Sequence, residues 1–127
     1  MNLDDFQKQA LKSIAITQKG PEALAHRALG LNGEAGILSN QLKKIIRDKG
    51  SLPDAEDLKV ARKRLGDVLY YTAALADYFG LTLSEVASQN LEQSEAFRKN
   101  REATKGEKGS MDEGFSESIV SNPQTLQ

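Results

Sequence analysis

Hydrophobic residues recur along most of the chain at intervals of three and four, the spacing of a helix that buries one face. Glycine and proline are sparse and fall mainly between these stretches, where they end one helix and begin the next. The pattern therefore predicts an all-α protein with four helices packed as a bundle.

The first two predicted helices are separated by a glycine-proline pair. The first runs from near Leu3 to a stop near Gly20, and the second from Pro21 to about Arg47, with Gly50 as its stop. The apolar side of the second helix comprises Leu24, Ala28, Leu31, Ala35, Leu38, Leu42, Ile45 and Ile46.

The last two predicted helices have clear start signals. Ser51, Pro53 and Asp54 precede the third helix, which continues to Gly80, and Thr82 and Glu85 form a capping box for the fourth. The apolar side of the third helix comprises Leu58, Ala61, Leu65, Val68, Leu69, Thr72, Leu75, Ala76 and Phe79. The fourth helix is expected to fray near residues 101–102.

Three glycines, Gly30, Gly33 and Gly36, lie inside the second predicted helix. Each costs roughly 1 kcal/mol relative to alanine in a helix interior. We therefore expect either close helix packing or a local break before Gly33, with a kink across residues 30–33.

The chain divides by composition into a helical domain, residues 1–102, and a flexible tail, residues 103–127, rich in glycine, serine and charged residues. A four-helix domain of this size with few aromatic residues buries a modest core. Homo-oligomerisation is the expected way to complete that core.

Charge and cysteine content exclude several function classes. With 17 basic and 18 acidic residues, the net charge of -1 gives no reason to expect a nucleic-acid partner. The absence of cysteine excludes thiol chemistry, and the charges that interrupt every apolar stretch exclude a membrane span and a signal peptide. We expect a cytoplasmic protein.

Residues 41–64 depart from this balance, with eight basic and four acidic residues. The local excess of positive charge suits a phosphate-bearing ligand, although the solvated face of a helical hairpin would have the same composition.

Two carboxylates on the apolar sides of the second and third helices indicate a functional site more specifically than the basic residues do. A buried carboxylate needs a counter-charge or a metal. Glu34 lies between Leu31 and Leu38, and Asp67 precedes Val68. On antiparallel helices the two side chains could converge, which is how helical bundles build sites for hard cations such as Mg²⁺.

Several motifs together resemble the MazG-type nucleotide pyrophosphohydrolases. They are residues 30–36 (GLNGEAG), 65–71 (LGDVLYY), 80–87 (GLTLSEVA) and 90–92 (NLE), in the same order. The resemblance implies an all-α fold, assembly as dimers or tetramers, and Mg²⁺- or Mn²⁺-dependent cleavage of a nucleoside triphosphate to a monophosphate and pyrophosphate.

The metal motif of that family, Glu-x-x-Glu on one helix and Glu-x-x-Asp on the next, is half missing. Glu34 and Asp67 fill the first and last positions and are the implied catalytic and metal residues, whereas Ile37 and Arg64 replace the other two carboxylates. Arg64 is expected to bridge Glu34 and Asp67 or to bind a phosphate, and a guanidinium cannot activate water as a metal does.

Further ligand contacts are implied by position. Asn90 is expected to touch the nucleotide, and the candidate phosphate contacts are Lys43, Lys44, Arg98 and Lys99. The segment at residues 109–114 resembles a glycine-containing tail segment that lies near the nucleotide in the family.

Three functions remain open at this stage. The first is a nucleotide-binding or nucleotide-sequestering protein with weak or lost hydrolase activity. The second is an active Mg²⁺-dependent pyrophosphohydrolase in which Asp77 or a partner subunit compensates for the missing carboxylates. The third is a non-catalytic dimerising scaffold.

Overall fold

The computed structural model describes residues 1–108. It contains four helices and, in this part of the chain, no strand, so the all-α prediction is confirmed. The helices are α1 (Leu3–Leu11), α2 (Pro21–Lys49), α3 (Ala55–Tyr78) and α4 (Leu83–Lys108).

The chain separates into two units after Ala87. The first unit contains α1, α2, α3 and the first residues of α4, and the second unit begins at Ser88. In the described part of the second unit, the structure is the continuation of α4.

The predicted helix ends around α2 and α3 are confirmed by their caps. Gly50 ends α2 with φ 58°, a left-handed conformation that glycine adopts without a steric cost. Asp54 accepts a hydrogen bond from the backbone N–H of Asp57, whose side chain accepts from the N–H of Asp54 in return. This capping box begins α3 one residue after Asp54.

The predicted end of the first helix near Gly20 is wrong, because α1 ends at Leu11. Isoleucine and threonine in the following segment, residues 13–17 (SIAIT), restrict side-chain rotamers in a helix. The Ser13 hydroxyl donates to the carbonyl of Ala10 (2.9 Å), and the carbonyl of Ile16 accepts from Arg27 on α2. The segment therefore leaves the α1 axis and runs against α2.

The predicted end of the fourth helix near residues 101–102 is also wrong, because α4 continues to Lys108. Its surface ion pairs include Arg98 with Glu102 (2.7 Å) and Lys99 with Glu95 (3.5 Å), both one turn apart. The proposed boundary at residue 102 thus falls inside a helix. The remainder of the predicted tail, including residues 109–114, lies outside the described residues.

Of the two alternatives expected for the glycines of α2, the local break before Gly33 is absent, since α2 is continuous, and the kink across residues 30–33 stays a prediction. Close packing explains one of the three glycines: a Cβ atom on Gly30 would overlap the ring of Tyr71 on α3. A Cβ on Gly33 or Gly36 would meet no atom within 4 Å.

The core of the first unit is small and lies where α1 crosses the end of α3. Buried Ala73, Ala76 and Leu83 form its centre, with Phe6 and Ala10 of α1 packed against them. Buried Gln7 donates to the carbonyls of Ala73 (3.2 Å) and Leu81 (3.1 Å) and accepts from the N–H of Leu83 (3.1 Å). One amide side chain thereby fixes α1, the end of α3 and the start of α4 together.

Candidate functional site

The helices α2 and α3 are antiparallel, as three pairs of contacts along their length show. Arg27 contacts Ala74, Glu34 contacts Arg64, and Gln41 contacts Asp57. The residue numbers rise on one helix and fall on the other. This arrangement brings the two predicted carboxylates to the same level of the hairpin.

Four charged side chains meet at that level, and we call them the Arg64 cluster: Glu34, Lys63, Arg64 and Asp67. Nη1 of Arg64 donates to Oε2 of Glu34 at 3.0 Å and lies 3.6 Å from Oδ2 of Asp67. Nζ of Lys63 donates to the same Asp67 oxygen at 2.7 Å. Of the two alternatives expected for Arg64, the structure shows the first, ion pairs with both Glu34 and Asp67, and phosphate binding stays a prediction.

The cluster lies half-buried between the helices. The side chains of Arg64, Glu34 and Asp67 are 27%, 22% and 33% exposed. Lys63 is more exposed, at 65%, and with it the two carboxylates face two cations, so their charges sum to zero without an added ion. Nε of Arg64 is buried and has no hydrogen-bond partner.

This donor set does not fit a divalent cation as it is arranged. Mg²⁺ requires oxygen ligands in near-octahedral positions, and each carboxylate here already accepts from a cationic side chain. Ile37, one turn after Glu34, offers no oxygen and is 46% exposed. Among residues 1–108, no three His, Cys, Asp or Glu side chains lie close enough together to hold a metal.

Asp77, which the sequence suggested as a replacement for a missing metal carboxylate, is instead paired with Arg27. It lies ten residues after Asp67 on α3, roughly 15 Å along the helix axis. Its Oδ2 accepts from Arg27 at 3.1 Å, and its Oδ1 lies 3.7 Å from Lys19. The structure therefore does not bring Asp77 to the Arg64 cluster.

The predicted phosphate contacts on α2 also lie away from the cluster. Lys43 and Lys44 are exposed and sit nine and ten residues after Glu34, roughly 14 Å along the helix axis. A ligand would have to extend over several helical turns to reach both places.

The remaining predicted ligand contacts belong to the second unit. Asn90 is exposed, and Arg98 donates to both Glu95 (3.0 Å) and Glu102 (2.7 Å). Lys99 lies 3.5 Å from Glu95. A role for Asn90, Arg98 and Lys99 in binding stays a prediction.

Sequence reasoning missed the most buried charge of the first unit, Arg27, which is 1% exposed. Its Nη1 donates to the carbonyl of Ala74 (2.6 Å) and to Asp77, and its Nη2 donates to the carbonyl of Ile16 (3.4 Å). Its guanidinium also lies over the ring of Tyr78, 5.9 Å from the centroid. The available signal was its position three residues after Leu24 and four before Leu31, which puts an arginine beside the apolar side of α2.

A second set of charged side chains, Lys49, Asp54 and Asp57, links the end of α2 to the start of α3. Asp57 is buried and accepts from Gln41 (3.0 Å) and from Lys49. Lys49 also donates to Asp54 at 2.7 Å. That hydrogen bond, with the backbone N–H of Asp57, lowers the pKa of the Asp54 carboxyl to about 2, and the two aspartates raise the pKa of Lys49.

The described residues form an all-α protein built on the antiparallel α2–α3 hairpin. The chain belongs to the family of the gene 37 protein of Mycobacterium phage L5, to which it is 39% identical over 110 residues. The match covers 84% of this chain and 96% of the phage protein. No protein-family profile and no solved structure matches the chain. Within residues 1–108, no helix is long and apolar enough to span a membrane.

Proposed function

We propose that this protein binds a nucleotide, or a similar phosphate-bearing ligand, without requiring a metal, and that it hydrolyses that ligand weakly or not at all. The observation that supports this proposal is the ion pair between Arg64 and Glu34 at 3.0 Å, with Asp67 at 3.6 Å. A fixed guanidinium stands between two carboxylates, at the place where the resemblance to MazG-type enzymes would put a metal.

The chemistry of the guanidinium favours binding over hydrolysis. Arginine stays protonated and presents a planar set of donors that matches phosphate oxygens. One donor of Arg64, Nη1, contacts Glu34, and Nε is buried without a partner, so a phosphate would reach the guanidinium by displacing the carboxylates. Hydrolysis of a phosphoanhydride commonly uses a metal ion to activate water, and a guanidinium does not lower the pKa of water in this way.

A phosphate would compete with Glu34 and Asp67 for Arg64. Exchange of one anionic partner for another leaves the charge of Arg64 compensated throughout, so binding does not require an unpaired buried cation as an intermediate. The displaced carboxylates are 22% and 33% exposed and can turn toward water.

Nucleotide as the ligand class is supported by the sequence resemblance across residues 30–36, 65–71 and 80–87. The local excess of basic residues between 41 and 64 supports a phosphate-bearing ligand independently of that resemblance. The exposed Lys43 and Lys44 would attract such a ligand at longer range, and would not contact the phosphates that Arg64 binds.

Calorimetric titration of the full chain with a panel of nucleoside mono-, di- and triphosphates, in Mg²⁺ and in EDTA, tests the proposal. We expect binding of at least one nucleotide with similar affinity in both buffers, and no release of pyrophosphate above the rate without protein. Turnover that depends on Mg²⁺ would instead identify an active pyrophosphohydrolase. Absence of binding to every nucleotide would favour the scaffold.

Two variants on α3 connect this binding to the cluster. Arg64→Met should weaken nucleotide binding at least about tenfold, because a charge-assisted hydrogen bond contributes about 1.5–3 kcal/mol. Arg62→Met is the matched control, since Arg62 is an exposed arginine two residues earlier on the same helix. Equal effects of the two variants would mean that Arg64 contributes only general positive charge.

A further inference from the structure

Two cations of the Arg64 cluster share one carboxylate oxygen. Oδ2 of Asp67 accepts from Nζ of Lys63 at 2.7 Å and lies 3.6 Å from Nη1 of Arg64. The two cationic nitrogens therefore lie no farther apart than these two distances together. A single anionic group in the place of Asp67 would meet both cations at once.

The two carboxylates of the cluster hold Arg64 unequally. Glu34 accepts from Nη1 of Arg64 at 3.0 Å, within hydrogen-bond distance, whereas Asp67 lies 3.6 Å from the same nitrogen. Asp67 is also the more exposed carboxylate, at 33% against 22% for Glu34. An incoming anion therefore displaces Asp67 from Arg64 at lower cost than it displaces Glu34.

Lys63 lies on the solvent side of the cluster. Its side chain is 65% exposed, compared with 27% for Arg64. The ammonium group has three donors on a flexible stem, so it can turn from Asp67 to another anion without a change in the helix. A ligand that arrives from solvent therefore meets Lys63 before it meets Arg64.

We propose, as an assignment that rests on the function proposed above, that Lys63 and Arg64 together bind a terminal phosphoryl group of the ligand in the place of Asp67. Lys63 thereby becomes the second phosphate-binding residue of the site. Asp67 becomes an internal competitor, which occupies both cations until the ligand displaces it.

The competitor determines which charge the ligand must carry. Asp67 is three residues after Arg64 on the same helix, so its carboxylate is present near both cations at a high effective concentration. A phosphodiester or a sulfate ester carries a single negative charge, as Asp67 does, and gains little by the exchange. A terminal phosphoryl group carries close to two negative charges at neutral pH and attracts the cations about twice as strongly. The site therefore selects a phosphomonoester or the terminal phosphate of a di- or triphosphate.

Calorimetric titration of the full chain with nucleoside mono-, di- and triphosphates in EDTA tests the role of Lys63. Lys63→Met should weaken nucleotide binding roughly threefold to tenfold, between the effects of an exposed ion pair and of a charge-assisted hydrogen bond. Lys59→Met is the matched control, because Lys59 is 77% exposed one turn earlier on α3. The control should change the affinity by less than about twofold.

The direction of the effect of Asp67→Asn tests the displacement. Asparagine removes the competing charge and keeps the size of the side chain, so the same nucleotides should bind at least about threefold more tightly. An aspartate that held a metal or contacted the ligand would give the opposite result. Asp48→Asn makes the same change in net charge at an exposed position of α2 and should have little effect.

Wild type alone tests the charge requirement, so this comparison does not depend on the folding of any variant. The 5′-monophosphates of adenosine, guanosine, cytidine and uridine are each compared with the 5′-sulfate of the same nucleoside at pH 8, where the phosphate is doubly charged. The two esters have nearly the same shape. The phosphate should bind at least about fivefold more tightly than the sulfate.

Three results would overturn the assignment while nucleotide binding itself stands. They are equal effects of the Lys63 and Lys59 variants, weaker binding by a folded Asp67→Asn variant, and equal binding of a 5′-phosphate and its 5′-sulfate. Absence of binding by wild type to every nucleotide would be a different outcome, because it would overturn the proposed function together with this assignment.

Discussion

At the scale of single residues, Arg27 has the largest set of interactions that link separate segments of the first unit. It connects α2 to the carbonyl of Ala74 on α3, to Asp77, and to the carbonyl of Ile16 in the segment after α1. A buried guanidinium with these partners is replaced poorly by any shorter or apolar side chain, because the carbonyls then lose their donor.

Arg27→Met should therefore lower the free energy of unfolding by about 3 kcal/mol, the lower end for a broken buried ion pair, since Asp77 can still reach water. Urea denaturation followed by circular dichroism measures the change. Arg62→Met, which alters an exposed arginine, should change stability by less than about 0.5 kcal/mol. Similar losses in both variants would contradict the structural role of Arg27.

Two glycines of α2 should respond in opposite directions to the same substitution. Gly30→Ala should destabilise the protein by about 1–3 kcal/mol, because the added methyl group overlaps the ring of Tyr71. Gly33→Ala should stabilise it by up to about 1 kcal/mol, because nothing lies within 4 Å and alanine favours the helix. Thermal unfolding of the pair checks this, and a stabilising Gly30→Ala would refute the close contact between α2 and α3.

At the scale of elements, the α2–α3 connection depends on one lysine between two aspartates. Lys49 donates to both Asp54 and Asp57, and the pKa of Asp54 falls from its usual 3.8 to about 2. The Asp54 carboxyl therefore binds a proton less tightly in the folded protein than in the unfolded chain. The stabilisation this gives is present above about pH 4 and is lost as pH falls toward 2.

We expect Lys49→Met to lower the melting temperature at neutral pH, and the difference from wild type to shrink between about pH 4 and pH 2. Melting curves over that range measure it. Lys59→Met should show no such convergence, because Lys59 and Glu56 are both largely exposed and lie 3.9 Å apart. A difference that stays constant down to pH 2 would contradict the coupling of Lys49 to Asp54.

Local signals predicted some helix ends well and others poorly. The starts of α3 and α4 follow from capping residues close in sequence, Asp54 with Asp57 and Thr82 with Glu85. The segment after α1 is held by a contact that is distant in sequence, from Arg27 to the carbonyl of Ile16, which no local signal reveals. The continuation of α4 past residue 102 is accompanied by surface ion pairs of Arg98 and Lys99, which composition alone does not reveal.

At the scale of the whole molecule, the convergence of Glu34, Arg64 and Asp67 was predictable. Arg64 and Asp67 are three residues apart and share one face of α3, and an antiparallel α2 places Glu34 opposite them. The inclusion of Lys63 was not, since its position alone did not separate it from the solvated basic residues nearby. The distance of Lys43 and Lys44 from the cluster was also predictable, because nine or ten residues along one helix span roughly 14 Å.

We propose that an internal cation, Arg64, takes the place of a metal between Glu34 and Asp67. Calorimetric titration of Mg²⁺ into wild type and into the Ile37→Glu/Arg64→Glu double variant tests this most directly. Wild type should show no Mg²⁺ binding at millimolar concentration, and the double variant, with four facing carboxylates and the same helical spectrum, should bind Mg²⁺. Equal Mg²⁺ binding by both proteins, or no binding by the folded double variant, would contradict a role of Arg64 in place of a metal.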